Sequence, residues 1–236
     1  MLVDSLQWSI AAGLGTVLGA VMIFIKRRWS ASGLAFFLGL AAGVMTAVVV
    51  FDMLPSAFLY DGVGKAMGGI AVGLMLMVGG GYFLGARQSG SRSLLGLGYL
   101  IMLGIALHDL PEGMAIALGD LMKNRTGMVI ALGIGIHNIP EGMAIAVPLV
   151  MAGIRKSLIF VQILLLSLIT PLGTLLGLYL ISLLPSLMPL LLGLASGIMA
   201  YLVAFQLWPQ AKAQDRRSSR CGFWLGMAVI LAATFI

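Results

Sequence analysis

Apolar stretches, each long enough to cross a lipid bilayer, take up almost the whole chain. A membrane-spanning α-helix needs about 20 mostly apolar residues. Eight such stretches follow one another: 2–25, 32–59, 64–86, 94–121, 127–151, 157–183, 187–210 and 221–236. Apolar residues make up 61% of the chain and charged residues 9%, and the mean hydropathy of +1.10 lies outside the range of soluble domains. We therefore predict an all-α integral membrane protein, with eight transmembrane helices in a single transmembrane domain over residues 1–236.

Two other interpretations of the apolar stretches fail on the sequence. Strands of an outer-membrane barrel alternate in hydrophobicity, and stretches such as LIFVQILLLSLI (158–169) show no alternation. A signal peptide carries its basic residues before its apolar segment. Here the order is reversed, since Asp4 comes first and the basic run KRR (26–28) follows. We expect the first stretch to remain as a helix.

Basic residues are concentrated in the connections on one side of the predicted bundle. That side carries Lys26, Arg27, Arg28, Arg87, Arg92, Arg155, Lys156, Lys212, Arg216, Arg217 and Arg220. The other side holds only Lys65, Lys123 and Arg125. Because basic connections stay in the cytoplasm, we predict a multi-pass protein of the cell membrane, inner or plasma, with both chain termini extracytoplasmic. The same asymmetry accounts for the net charge of +6 without a nucleic-acid partner.

Three pairs of similar segments indicate an internal repeat. They are AAGVMTAVVVFDMLPSA (41–57) with ASGIMAYLVAFQLWPQA (195–211), LGTVLG (14–19) with LGTLLG (172–177), and HDLPEG (108–113) with HNIPEG (137–142). Because the helices alternate in direction, the members of each pair run antiparallel. Glycine-rich packing motifs that recur by chance explain the LGT pair alone, but not three pairs in consistent order. We predict an inverted 3+2+3 repeat bundle around a central hairpin of helices four and five, an architecture typical of transporters.

The repeated hexapeptide contains all of the histidine and glutamate in the chain. These residues are His108, Glu112, His137 and Glu141. Both copies lie at nearly equal distance from the loop around Lys123, which places them roughly 20 Å below the outer surface. An ionisable group at that depth costs at least about 2.5 kcal/mol, so such groups mark pathways, relays or ligands.

The spacing within each copy suits a metal site. Histidine and glutamate are four residues apart and project from one helical face, while Asp109 and Asn138 are turned by about 100° and are placed to reach a neighbouring ion. Pro111 and Pro140 cannot donate to the carbonyls four residues earlier, so each helix is kinked and frees an oxygen beside its histidine. We expect the glycine that ends each hexapeptide to keep the opposite helix close.

The ligand types favour a divalent transition metal. Imidazole with carboxylate suits Zn²⁺, Fe²⁺, Mn²⁺, Co²⁺ or Cd²⁺, whereas Cu(I) prefers thiolate and thioether and Mg²⁺ prefers oxygen alone. Cys221 is the only cysteine, which excludes a multi-cysteine site and an internal disulfide. The alternative is a pair of kinked helices whose histidine and glutamate satisfy each other by hydrogen bonds. Two copies at matched depth favour the metal site.

At these residues the sequence resembles the ZIP (Zrt/Irt-like protein) family of divalent metal transporters. The resemblance implies eight helices, an inverted 3+2+3 bundle and transport toward the cytoplasm through one or two metal ions held between helices four and five. It assigns His108, Glu112 and Glu141 to the main site. A second ion, sharing both glutamates, falls to Asp109, His137 and Asn138. Members often form dimers, and a homodimer is one explanation of the glycine-rich third helix; packing within one chain is the other.

Three departures from the family pattern concern the pathway. Thr170 stands before PLG, where many members have an acid, and Gln206 occupies a position where an acid is common. The connection GARQSGSRS (85–93) contains no histidine, so capture of metal by a His-rich loop is not expected. Asp52, the counterpart of Gln206 in the repeat, is either an entrance or exit ligand or a polar residue near the outer interface.

We therefore predict a transporter of divalent transition metal, Zn²⁺ foremost, that works by alternating access and is not an enzyme. The ion is a substrate, and no cofactor is expected; the bilayer is the other partner. Two alternatives stay open. An intramembrane metal-dependent hydrolase would use the metal to activate water, but the sequence has no HExxH and the site is duplicated. A cation channel would use the same acids without occluding the ion.

Overall fold

Helices make up nearly all of the computed structural model, which describes residues 2–25, 29–59, 62–84, 91–122, 126–180 and 184–235. The α-helices are α1 (Leu2–Phe24), α2 (Ala31–Val48), α3 (Leu54–Leu59), α4 (Val63–Phe83), α5 (Ser91–Met122), α6 (Thr126–Met151), α7 (Lys156–Leu166), α8 (Ile169–Tyr179), α9 (Leu184–Tyr201), α10 (Trp208–Gln214) and α11 (Arg216–Phe235). Two π-helical segments, Val49–Met53 and Leu202–Leu207, join α2 to α3 and α9 to α10. No strand occurs in the residues described, so the predicted all-α class is confirmed.

Within those ranges, seven helical spans are long and apolar enough to cross a membrane. Together with α11 they correspond to the eight predicted stretches. The helix α11 begins at Arg216 rather than at residue 221, because the Asp215 carboxylate accepts a hydrogen bond of 3.0 Å from the backbone N–H of Arg217. The Ser218 hydroxyl and that N–H lower the pKa of Asp215 below its usual value. Basic residues in its first turns make α11 less apolar than the other spans.

The sixth predicted stretch, 157–183, is interrupted near its middle. Helix α7 ends at Leu166 and α8 begins at Ile169. Pro171 has no N–H to donate to the carbonyl of Ser167, four residues earlier, and the Leu168 N–H bonds instead to the Leu165 carbonyl at 3.2 Å. The proline therefore produces a bend between two halves of one membrane span.

Each π-helical segment lies directly before a proline. Pro55 and Pro209 cannot donate to the carbonyls of the residues four positions earlier, and each ring crowds the carbonyl it faces. The turn widens, and the preceding residues bond five positions back, from Leu54 to Val49 and from Trp208 to Val203. The two widened turns fall at matching places in the aligned segments 41–57 and 195–211.

The helices form two packed groups of four spans. One group contains α1, α5, α6 and the α7/α8 span, with α6 packed on α1 and on α5, and α5 packed on α8. The other contains α2/α3, α4, α9/α10 and α11, with α2 packed on α11 and α4 packed on α9. The groups meet mainly where α5 contacts α9 and α2 contacts α6. This is the pairing that an inverted repeat requires, because the contact between spans two and eight (α2 and α11) then corresponds to the contact between spans seven and three (α9 and α4). The repeat itself stays a prediction from the sequence.

Glycines set the separation between packed helices. On α4, Gly69 and Gly73 lie against the α9 backbone near Leu190 and Leu194, with no room for a side chain. Gly64, Gly68 and Gly79, by contrast, have open space where a Cβ atom would stand. One face of the glycine-rich third span therefore packs against another helix of the same chain. This agrees with the explanation by packing within one chain.

Adjacent glycines on α4 give a matched test of this packing. We expect Gly69→Ala to lower the stability of the purified protein by about 1–3 kcal/mol, because the added methyl group meets the α9 backbone. Gly68→Ala should leave stability unchanged or slightly raised. The measurement is the thermal unfolding midpoint of both variants in one detergent. Equal midpoints for the two variants would contradict the packing described.

Candidate metal centre

The two copies of the hexapeptide meet at the centre of the first helical group. Helices α5 and α6 continue through Pro111 and Pro140, and each presents its polar residues toward the other helix. The six candidate ligands are all buried, with exposed fractions of at most 4%: His108, Asp109, Glu112, His137, Asn138 and Glu141. The structure therefore brings every predicted metal ligand into one buried region.

The ring of His108 has a defined orientation. Its Nδ1 lies 2.9 Å from the carbonyl oxygen of Gly104, one turn earlier on α5. Because a carbonyl only accepts, Nδ1 carries the hydrogen, and Nε2 presents a lone pair in the neutral ring. Nε2 lies 3.3 Å from Glu141 Oε1 and 3.5 Å from Asp109 Oδ1. A metal-binding histidine is commonly oriented in this way by a backbone carbonyl.

Each histidine pairs with the glutamate of the other helix. His137 Nε2 lies 3.2 Å from both Oε1 and Oε2 of Glu112, and His108 faces Glu141. The sequence places His and Glu of one copy on the same helical face, and the structure adds that the close pairs cross between α5 and α6. The hairpin is thus held together at its centre by the residues that would bind an ion.

Asp109 and Asn138 differ in their surroundings despite their matching positions. The Asn138 amide donates to the carbonyl of Ala12 on α1 at 3.0 Å. Asp109 lies instead beside the His108 ring, and one ligand atom each from His108, Asp109 and Glu112 lie within 4.8 Å of one another. Asp109, which the family resemblance assigns to a second ion, therefore lies close to the main group of ligands.

Several acceptor atoms in this region have no hydrogen-bond partner among the residues that the structure describes. They are His108 Nε2, both Asp109 carboxylate oxygens, both Glu141 carboxylate oxygens and Asn138 Oδ1. A buried acceptor without a donor costs about 1–3 kcal/mol, and more when it is charged. The predicted alternative, in which histidine and glutamate satisfy each other, fits His137 with Glu112 but leaves these six atoms without partners. Converging lone pairs of imidazole and carboxylate fit a divalent transition metal.

A cavity of about 370 Å³ leads to the centre from one side. Glu112 and His137 line its inner end, and Asp52 and Ser56 line its wall on the second span. Its mouth lies among Leu118, Gly119, Val129 and Ile130, near the α5–α6 connection, and Met188 and Leu192 of α9. We call this space the outer cavity. Ser56 was not among the predicted residues, although it follows Asp52 by one helical turn.

The other two predicted pathway residues lie outside the outer cavity. Thr170 is buried on α8 and its hydroxyl has no hydrogen-bond partner. Its backbone carbonyl lies against Gly113, just as the backbone of Thr16 on α1 lies against Gly142. The glycines that end the hexapeptides therefore admit α8 and α1, rather than bringing α5 and α6 together as expected. Gln206 is 5% exposed and does not line the outer cavity.

The family model described as ZIP Zinc transporter matches residues 84–235, which contain both hexapeptides. The chain belongs to the ZIP family. Among curated relatives, a protein named Zinc transporter ZupT from Enterobacter sp. (strain 638) is 34% identical over 124 residues, covering 45% of this chain and 46% of the relative. ZupT proteins of Escherichia fergusonii and of Escherichia coli (strain K12 / DH10B) are each 32% identical over 122 residues, with the same coverage.

The aligned region spans about half the length of the curated relatives it matches. Membership of the ZIP family confirms the resemblance seen in the two hexapeptides. It also agrees with the multi-pass helical architecture described above.

Removal of one unpartnered carboxylate tests whether Asp109 belongs to the main group of ligands. We expect Asp109→Ala to weaken Zn²⁺ binding by about tenfold or more, because its carboxylate lies beside His108 Nε2. Ser196, whose buried hydroxyl also lacks a partner, provides the control, and Ser196→Ala should leave the affinity unchanged. Calorimetric titration of the purified protein measures both. Equal affinities for Asp109→Ala and the wild type would remove Asp109 from the site.

Proposed function

We propose that this ZIP protein transports divalent transition-metal ions across the membrane, with Zn²⁺ as the foremost substrate. The observation that carries the proposal is the group of unpartnered acceptors between α5 and α6, next to Glu112 and His137, which line the inner end of the outer cavity. His108, Glu112 and Glu141 are the proposed main ligands, and Asp109 approaches the same ion. The names of the ZupT relatives support zinc as the substrate.

A second ion has a weaker set of ligands. His137, Asn138 and the two glutamates remain for it, but Asn138 offers only an uncharged oxygen, because its amide nitrogen donates to Ala12, and Thr170 offers a hydroxyl in place of an acid. An uncharged oxygen binds a divalent cation less tightly than a carboxylate does. We propose that the main site determines transport and that a second ion, where one binds, is held weakly.

The proposed orientation in the membrane rests on the charge of the connections. Basic residues lie at the ends of α1, α7, α10 and α11 that are opposite to the mouth of the outer cavity. With the basic face in the cytoplasm, both termini are extracytoplasmic and the outer cavity opens away from the cytoplasm. We propose import across the cell membrane, with the structure in an outward-open state.

Alternating access requires two bodies that can move against each other. We assign this role to the helical group that contains the candidate metal ligands and to the group of α2/α3, α4, α9/α10 and α11, because contacts within each group are more extensive than those between them. The outer cavity lies between them, lined by both. We propose that displacement of one group relative to the other closes the outer cavity and opens a path on the basic side.

The two alternatives have less support. A hydrolase needs a metal-bound water beside a dedicated base, whereas each glutamate here lies against a histidine of the other helix. A channel needs a continuous path, and His108 and Asp109 are fully buried, out of contact with the outer cavity. No cofactor and no nucleic acid enter the proposal, and a homodimer is left to measurement.

Metal flux into proteoliposomes tests the proposed function. We expect saturable uptake of Zn²⁺ and Cd²⁺, weaker uptake of Mn²⁺ and none of Mg²⁺, since Mg²⁺ avoids imidazole ligands. Glu112→Ala should reduce the flux about tenfold or more, because a main ligand is lost. Gln162→Ala, which removes a polar side chain hydrogen-bonded to Tyr99 and outside the site, is the control. Unsaturable flux would indicate a channel, and flux that is indifferent to Glu112 would refute the site.

The carboxylate of Asp52 gives a separate prediction about entry. It is exposed to the outer cavity, where a negative charge raises the local concentration of cations. We expect Asp52→Asn to raise the KM of Zn²⁺ uptake by about three- to tenfold with kcat unchanged, and the effect should shrink at high ionic strength. Asp215→Asn, at the opposite end of the bundle, should change neither constant. A fall in kcat at constant KM would instead assign Asp52 to a later step.

A further inference from the structure

The segments around the two π-helices have nearly the same pattern of exposure, except at their polar position. In the repeat alignment, Phe51 corresponds to Phe205, and both are exposed, at 42% and 63%. Asp52 corresponds to Gln206. Asp52 is exposed to the outer cavity, whereas Gln206 is only 5% exposed. Two equivalent positions on equivalent helices thus differ in what covers them.

The helices of the hexapeptides show a matching difference between the two sides. Gly133 on α6 lines the outer cavity and has open space where a Cβ atom would stand. Its counterpart in the repeat, Gly104 on α5, has Leu202 and Met77 within 2.7 and 3.2 Å of the equivalent point. Space that is empty on the outer side is therefore filled by side chains on the basic side.

A second pair of equivalent positions shows the same difference. Val129 at the mouth of the outer cavity is 62% exposed, and its counterpart Leu100 is fully buried. The candidate ligands lie between the open region at Val129 and the filled region at Leu100. The Gly104 carbonyl, which orients His108, lies next to the filled region. The filling is apolar, which allows separation without leaving unpaired hydrogen-bonding groups.

We infer that the region over Gly104 is a second vestibule, closed in this structure by Leu202 and Met77, and that it opens toward the basic face with Gln206 as the polar group lining the exit. The inference rests on the proposed transport function, to which it adds the residues on the release side. Opening requires Leu202, on the π-helical segment after α9, and Met77 on α4 to leave Gly104, so the two helical groups must separate on the basic side while they close around Asp52.

The two vestibules differ in charge. Asp52 presents a carboxylate to the entering ion, whereas Gln206 presents a neutral amide, whose oxygen is a weaker ligand for a divalent cation. An ion that leaves past Gln206 is therefore not bound by a comparable carboxylate. Gln206 thereby makes release on the basic side faster than it would be with an acid at this position.

Cysteine accessibility tests the inference, because Cys221 is the only native cysteine and Cys221→Ala gives a cysteine-free background. The reporter is Gln206→Cys, and Ile163→Cys on α7 is the control, fully buried in the structure and at comparable depth from the basic face. A charged, membrane-impermeant maleimide is added to either side of oriented vesicles. We expect reaction of Gln206→Cys from the basic side at least about tenfold faster than of Ile163→Cys, and reaction of Asp52→Cys from the opposite side only.

A second variant changes the balance between the two states. Leu202→Ala removes part of the apolar filling, so it should speed the modification of Gln206→Cys and slow that of Asp52→Cys. Val48→Ala, at the equivalent position on α2, should not speed the reaction at Gln206→Cys. Reaction of Gln206→Cys no faster than the control, in protein that still transports Zn²⁺, would overturn the inference and leave the proposed function intact. Reaction of Gln206→Cys from the basic side in protein without saturable Zn²⁺ flux would instead refute the proposed function and leave the second vestibule intact.

Gln206→Glu tests the role of the neutral exit. We expect Zn²⁺ release to the basic side to slow severalfold, seen as a lower kcat in proteoliposomes at unchanged initial binding. Thr46→Val, on α2 in the other half of the repeat, is a control for polar substitution in the same helical group. An unchanged or higher kcat for Gln206→Glu would exclude Gln206 from the release path.

Discussion

The structure depends on the high cost of leaving polar groups unpaired in a medium without water. A helix satisfies its own backbone, so each polar side chain within the bilayer needs a partner from another source. Between α5 and α6, carboxylate oxygens, an imidazole nitrogen and an amide oxygen converge without donors. A divalent cation satisfies such a set of lone pairs at once. A cavity lined by Glu112 and His137 lies beside this set of atoms.

The prolines and glycines act together at this centre. Proline removes backbone donors within the hexapeptides and before the π-helical segments, and it bends the α7/α8 span. Glycine allows close approach, so that α1 and α8 lie directly against the hexapeptides. One consequence is the hydrogen bond from Asn138 to the Ala12 carbonyl, which ties a candidate ligand to α1. Backbone geometry and ligand position are thus determined by the same short motifs.

Much of this arrangement was predictable from the sequence. Continuous apolar stretches predict the helices, and the placement of all His and Glu in one repeated motif predicts the site. The crossed pairing of His108 with Glu141 was not predictable, because it depends on how α5 and α6 are rotated about their axes, which contacts with α1 and α8 determine. The rotation of these helices also decides which ligands Asp109 lies beside, and for this reason the sequence assigned Asp109 to another ion. The widened turns at Pro55 and Pro209 were missed because a proline is equally compatible with a kink.

The repeat also shows what a sequence alone leaves undetermined. Two halves with equivalent helices have two equivalent ways to pack, and the bilayer treats their apolar faces alike. Leu202 and Met77 over Gly104, opposite the open space at Gly133, show which of the two packings this structure adopts. The two halves also differ in charge, because Asp52 stands where the other half has Gln206, and its effect on a cation is electrostatic and local. In the mechanism that we propose, a repeat that is symmetric in its helices but asymmetric in one charge exchanges access between two faces, with capture favoured on one and release on the other.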